Sequence, residues 1–142
     1  MALKIRLKQY KNSSKSSFGK YYAETVQLGE VHTADLARQV SQNTTFRPGE
    51  VKGIIDELVA VMTREMQDGH AVVIDGLGRF RLMVESEGVE KASDFNIVRH
   101  VRRIVCKFLP ATHRKGDDGE RKATGRKEQL FSEGADVEWY KG

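Results

Sequence analysis

Single-residue alternation of apolar and charged side chains marks three stretches of the chain. Leu3, Ile5 and Leu7 alternate with Lys4, Arg6 and Lys8. Phe80, Leu82 and Val84 alternate with Arg79, Arg81 and Met83. From Arg99 to Lys107 a second basic–apolar run contains no acidic residue. A period of two sends successive side chains to opposite faces, so each stretch predicts a half-buried strand. A register that turns Ile104, Cys106 and Phe108 inward leaves Arg103, Val105 and Lys107 outward. His70–Asp75 reads as a short strand, and Gly76-Leu77-Gly78 as a tight turn into the run at 79–84. Lys20–Leu28, with Tyr21, Tyr22, Thr25 and Val26, has strand composition. It can pair with 2–10 as a hairpin across the Ser- and Lys-rich loop 11–19.

Between these strand signals the period changes. Thr33 reads as a helix N-cap, with Asp35 where a negative charge suits the helix dipole. Leu36, Ala37 and Val40 follow at helical spacing, which predicts a helix over 34–42. Pro48 fits the first position of a longer helix, although Arg47 is a poor capping residue. Its apolar stripe comprises Val51, Ile54, Ile55, Leu58, Val59, Val61, Met62 and Met66. That stripe is wider than a helix packed on one side needs, which predicts cover from the chain itself and from a partner. Gly69 is the natural stop. Two helices and a three-stranded sheet bury little alone, so an obligate homodimer based on paired helices is expected.

The segment Glu85–Asn96 is polar and contains Gly88. Arm, helical turn and loop all fit it, and Phe95 is expected to fold back onto the body. Arg114–Glu128 holds one apolar residue, Ala123, and reads as a linker or flexible tail. Leu130, Phe131, Val137, Trp139 and Tyr140 then restore apolar character. Docking on the domain, contact with a partner, or neither would accommodate them. The chain thus divides into an extension (1–30), a central domain (31–112) and a C-terminal tail (113–142).

Charge changes this picture through its placement, because the net charge of the 142 residues is only +4. Acids gather at Glu50, Asp56, Glu57, Glu65 and Asp68, whereas 95–116 has none. A cationic sheet face is a seat for a polyanion, most commonly nucleic acid. The competing reading is a sheet edge kept soluble by positive charge. Cys106, the single cysteine, excludes an intrachain disulfide, and its inward parity predicts a buried thiol. His32, His70, His100 and His113 lack metal-ligand spacing. Gly76-x-Gly78 lacks the third glycine and the following helix of a dinucleotide site. No enzyme activity, cofactor, metal or small-molecule substrate is therefore expected. With no membrane-length apolar run and no signal-peptide pattern, a reducing, intracellular and therefore cytoplasmic location is the expectation.

The order of these elements, with Gly76-Leu77-Gly78-Arg79-Phe80 at the turn and Arg103-Ile104-Val105-Cys106-Lys107-Phe108-Leu109-Pro110 as the return strand, resembles the HU/IHF family of bacterial DNA-bending proteins. Lys20-Tyr21-Tyr22-Ala23 and Phe95-Asn96-Ile97 resemble the HU-like branch common in Bacteroidetes, which carries extra strands ahead of the core. The resemblance covers about residues 31–110. It implies an α+β fold with a two-helix base, an antiparallel sheet, a β-arm and an added N-terminal hairpin, assembled as a homodimer on double-stranded DNA. The family's arm wedges an apolar residue between base steps. Here 85–103 has no proline, and Glu85, Glu87, Glu90 and Asp94 lie in it. The cations expected to meet DNA are Arg79, Arg81, Lys91, Arg99, Arg102, Arg103, Lys107, Arg114 and Lys115. Arg102 has the wrong parity unless the strand bulges. Backbone contacts of this kind give low sequence specificity and strong salt dependence. The alternative function is a protein-interaction module that shares the fold.

Overall fold

Each alternating run forms a strand, except that the third begins in a short helix at Arg99 and His100 and turns to strand at Val101, and each helical period forms a helix. The computed structural model describes residues 2–114 and 127–142. Strand β1 (Ala2–Gln9) pairs antiparallel with β2 (Tyr21–Thr25), with Ile5 opposite Thr25 and Gln9 opposite Tyr21. Helix α1 spans Thr33–Gln42, starting one residue earlier than expected. His32, not Thr33, takes the cap position, and the Asp35 carboxylate accepts its backbone N–H at 3.3 Å. Helix α2 (Pro48–Gln67) does begin after Arg47. The Glu50 carboxylate accepts the Arg47 N–H at 2.7 Å, which satisfies a helix end that Arg47 itself cannot cap. Gly69, at φ +91°, turns the chain out of the helix.

Strands β3 (Val72–Ile74), β4 (Gly78–Ser86) and β5 (Val101–Pro110) form an antiparallel sheet in the order β3-β4-β5. The turn into β4 needs its glycines. Gly78 sits at φ +152°, and a Cβ there would strike the Leu109 carbonyl and lie 2.6 Å from the Phe108 ring. That close approach lets Phe80 and Phe108 stack across the strands, ring centroids 4.6 Å apart. The link from β4 to β5 is a 3₁₀ turn (Ala92–Asp94) and the short helix α3 (Ile97–His100). The Asn96 side chain caps α3 by accepting the Arg99 N–H at 3.1 Å. Phe95 folds onto the ring of His100, 5.4 Å away, and so packs on its own connection rather than on the helical body.

The end of the chain returns to the sheets. β6 (Thr112–Arg114) pairs with β7 (Lys127–Gln129), and β8 (Asp136–Trp139) runs parallel to β1. Residues 115–126, most of the expected linker, lie outside the described residues; of the expected tail, 113–114 and 127–139 are largely in strands and turns. The reason is specific: β8 extends the sheet in the order β2-β1-β8 and sets Val137 beside Leu3 and Trp139 beside Ile5. One face of that sheet is therefore apolar. The other carries Lys4–Glu138, Arg6–Glu24 and Lys8–Glu24 ion pairs.

Very little of this surface is covered. Ala37 and Val51, one on each helix, are the buried apolar side chains among the described residues. On α2, Ile55, Met62 and Met66 are half-buried, but Ile54, Leu58 and Val59 remain 55%, 43% and 57% exposed. The wide stripe is thus covered on one side only. Cys106 shares a face with Phe108 and Ile104 as its parity requires, yet it is exposed. The buried thiol expected from sequence is not found within one chain, because the apolar face of β4–β5 runs beyond the helices. Val84 and Ile104 are open there as well.

Candidate nucleic-acid interface

The β4–β5 register decides which side chains share a face, since residues directly opposite one another project to the same side. Arg79 lies opposite Leu109, Arg81 opposite Lys107, Met83 opposite Val105, and Glu85 opposite Arg103. Phe80 lies opposite Phe108, Leu82 opposite Cys106, and Val84 opposite Ile104. The two faces are therefore chemically distinct: one aromatic and aliphatic, the other guanidinium and ammonium interleaved with Met83, Val105 and Leu109.

The cationic face is not uniform. At its far end Arg103 Nε donates to Glu85 Oε2 at 2.5 Å, and Arg102 Nη2 to Glu87 Oε1 at 2.5 Å. The Arg102 guanidinium, chiefly by hydrogen bonding, holds the Glu87 carboxyl below its usual range. Arg102 reaches this pairing because the register shifts between Glu85 and Ser86. The shift leaves Arg102 as an extra residue between Val101 and Arg103, the device its parity called for. Nearer the Gly76–Gly78 turn the situation is reversed. Among the described residues no carboxylate pairs with Arg79, Arg81 or Lys107. Like charges set directly across a sheet repel, yet Arg81 and Lys107 stand so, without an internal counterion among those residues.

The remaining cations are dispersed. Lys91 precedes the 3₁₀ turn, and Arg99 lies in α3; both sit in the 87–100 connection and not on the sheet. Arg99 has no ion-pair partner among the described residues, and beside it Val98 is 91% exposed. Arg114 ends β6, opposite Lys127. Lys115 lies outside the described residues. Sequence reasoning missed the carboxylate partners of Arg102 and Arg103. Glu85 and Glu87 stand two apart, as two side chains on one strand face do, and that spacing was the available signal.

The described residues contain no group of three or more His, Cys, Asp or Glu side chains able to hold a metal, and no helix long and apolar enough to cross a membrane. An α+β body carrying a ribbon with one apolar and one cationic face is the kind of domain seen in HU-like proteins. The chain belongs to the HU-HIG family, described as an HU domain fused to wHTH, Ig, or Glycine-rich motif, whose model matches residues 1–118. The match takes in the N-terminal strands as well as the helices and β3–β5.

Among solved structures the chain is similar to one from Bacteroides vulgatus ATCC 8482, named a "Putative bacterial DNA binding protein". The TM-score is 0.53 at 16% identity, over 76% of this chain and 41% of that one. At that identity the likeness is one of fold. The chain spans less than half the length of that structure. No curated protein matches it.

Proposed function

We propose that this chain is a non-enzymatic, HU-like DNA-binding protein that holds duplex DNA through its β4–β5 ribbon, with low sequence specificity, as a homodimer. The observation that carries the reading is Arg81 facing Lys107 with no carboxylate partner among the described residues, and Arg79 on the same face. A phosphate backbone supplies the missing negative charge and releases its own counterions. Membership in the HU-HIG family supports the same reading, as does the name borne by the Bacteroides vulgatus structure. Arg99, Lys91, Arg114 and Lys115 extend the contact; Arg102 and Arg103 join it by exchanging Glu87 and Glu85 for phosphate. Residues 31–112 form the DNA-binding unit, and a cytoplasmic, nucleoid-associated place follows from that role.

Exposed apolar surface supports the homodimer. The chain exposes 12496 Å². A compact folded monomer of 16.0 kDa exposes about 7,400 Å², so this chain leaves far more surface uncovered than such a monomer does. Ile54, Leu58 and Val59 form the open part of the α2 stripe where a second copy would pack.

Fluorescence anisotropy with a labelled duplex tests the reading. Binding should be tight at low salt and be lost when Arg79, Arg81 and Lys107 are all changed to Glu. Unchanged binding by that variant would refute the assignment of the face.

A further inference from the structure

The N-terminal sheet repeats the division seen in β4–β5, with one addition: its charged face carries aromatic rings. On β1 the side chains of Lys4, Arg6 and Lys8 share a face. The β1–β2 register places Tyr22 opposite Lys8 and Glu24 opposite Arg6. Backbone pairing continues past the strand ends, because the Tyr10 N–H donates to the Lys20 carbonyl at 2.9 Å and the Gly19 N–H to the Tyr10 carbonyl at 3.0 Å. Tyr10 and Lys20 thereby join the same face. The rings of Tyr10 and Tyr22 meet edge to face, centroids 6.5 Å apart, and Tyr22 is 49% exposed. An open groove of about 910 Å³ runs along them; Arg6, Lys8, Tyr10, Lys11, Tyr22 and Glu24 are among its lining residues, together with Leu7, Gln9 and Ala23.

Charge along this hairpin is one-sided. Residues 1–23 hold Lys4, Arg6, Lys8, Lys11, Lys15 and Lys20 and no acid. Glu24 is the first, and it ties down Arg6 at 3.1 Å and Lys8 at 2.8 Å. Lys11, Lys15 and Lys20 have no carboxylate partner among the described residues; Lys11 lines the groove, Lys20 pairs with Tyr10 through the backbone, and Lys15 lies in the loop between the strands. The contrast with the other cationic face is informative. Arg79, Arg81 and Lys107 are interleaved with Met83, Val105 and Leu109, and no ring lies among them. That face offers a backbone only charge. The hairpin face offers charge together with π-surfaces.

We propose that the Tyr10–Tyr22 face of the N-terminal hairpin is a second nucleic-acid site, which takes single strands. Bases in a duplex are already stacked and paired, so the exposed Tyr22 and the half-buried Tyr10 gain nothing from them. Unpaired bases stack on such rings while adjacent lysines track the phosphates. Glu24 holds Arg6 and Lys8 upright along the groove, and the free cations at Lys11, Lys15 and Lys20 draw the strand in. The proposal stands independently of the duplex reading, since it uses a different sheet and different residues.

The test uses the full chain with labelled oligo(dT), oligo(U) and a duplex, in anisotropy titrations at low and moderate salt. The wild type should bind the single strands. Changing Tyr10→Leu and Tyr22→Leu together should weaken that binding by about tenfold or more, with duplex affinity unchanged. The Tyr10→Phe, Tyr22→Phe variant, which keeps both rings, should bind like the wild type. Ultraviolet cross-linking of oligo(dT) to the unaltered chain should mark the peptides holding Tyr10 or Tyr22, a readout that needs no variant to fold. No binding of single strands by the wild type would overturn the proposal. So would an equal loss of duplex and single-strand binding in the leucine variant, or cross-links confined to β4 and β5. Loss of duplex binding alone, in the Arg79, Arg81, Lys107 variant, bears on the first site and leaves the second in place. Equal affinity for oligo(dT) and oligo(U) supports recognition by stacking and charge alone; binding of one but not the other supports a site that also reads the sugar hydroxyl or the thymine methyl.

Discussion

Arg81 on β4 lies directly across from Lys107 on β5. Opposed cations on a sheet cost stability, while an opposite-charge pair at the same place contributes roughly 0.2–1 kcal/mol. Lys107→Glu should therefore raise the melting temperature at low salt by forming a cross-strand ion pair with Arg81. The same change should weaken duplex binding. A thermal melt and a binding titration on one variant would move in opposite directions. A fall in both would mean that Lys107 holds the sheet together and does not serve a ligand.

The two turn glycines differ sharply in what they would tolerate. Gly76 sits at φ +78° with nothing near its missing Cβ, so Gly76→Ala should cost about 1 kcal/mol from backbone strain alone. Gly78 adds a collision with the Leu109 carbonyl and the Phe108 ring. Gly78→Ala should cost roughly 3 kcal/mol or more. Chemical denaturation of the two variants side by side checks the ordering.

Acid should loosen the N-terminal hairpin. Hydrogen bonds from Lys8 and then Arg6 hold the Glu24 carboxyl below its ordinary range. A carboxylate with a depressed folded-state pKa contributes stability that is present above its unfolded value, and loses it as pH falls through the folded value. The window therefore opens below about pH 4. Because the pair is solvent-exposed, the effect should be small and should vanish in Glu24→Gln. Amide exchange across β1 and β2 as a function of pH would report it. Exchange that is unchanged by acid in the wild type would contradict the assignment.

Removing the open stripe of α2 should cost the oligomer. Leu58→Asp puts a carboxylate beside Ile54 and Val59, both exposed in the single chain. Burying that charge against a second copy is prohibitive. Sedimentation equilibrium should show a dimer for the wild type and a monomer or unfolded chain for the variant. A dimer that survives Leu58→Asp would place the interface elsewhere.

Parity made much of this structure legible. The alternation at 79–84 and 103–108 assigned both faces of β4–β5 correctly, because a strand's period leaves a sequence two choices and the arginines exclude one. The helices were legible through stripe and punctuation, with the α1 boundary off by one residue. Two kinds of fact were not legible. Arg102 has a carboxylate partner because a register shift brings Glu87 within reach, and alternation carries no record of a shift; Glu85 meets Arg103 directly across the unshifted ladder. β8 joins β1 although the two lie at opposite ends of the sequence; Val137 and Trp139 show that something apolar must dock there, but not where. Cys106 illustrates a third limit, since inward parity fixes a face and leaves open whether one chain covers it.

Salt dependence of duplex binding addresses the central claim most directly. The logarithm of affinity should fall steeply and linearly with the logarithm of salt for the wild type. Changing Arg79, Arg81 and Lys107 to Gln should lower the slope by about one for each phosphate contact removed. A wild-type slope near zero, or a slope that the three substitutions leave untouched, would mean that these cations do not meet a nucleic-acid backbone.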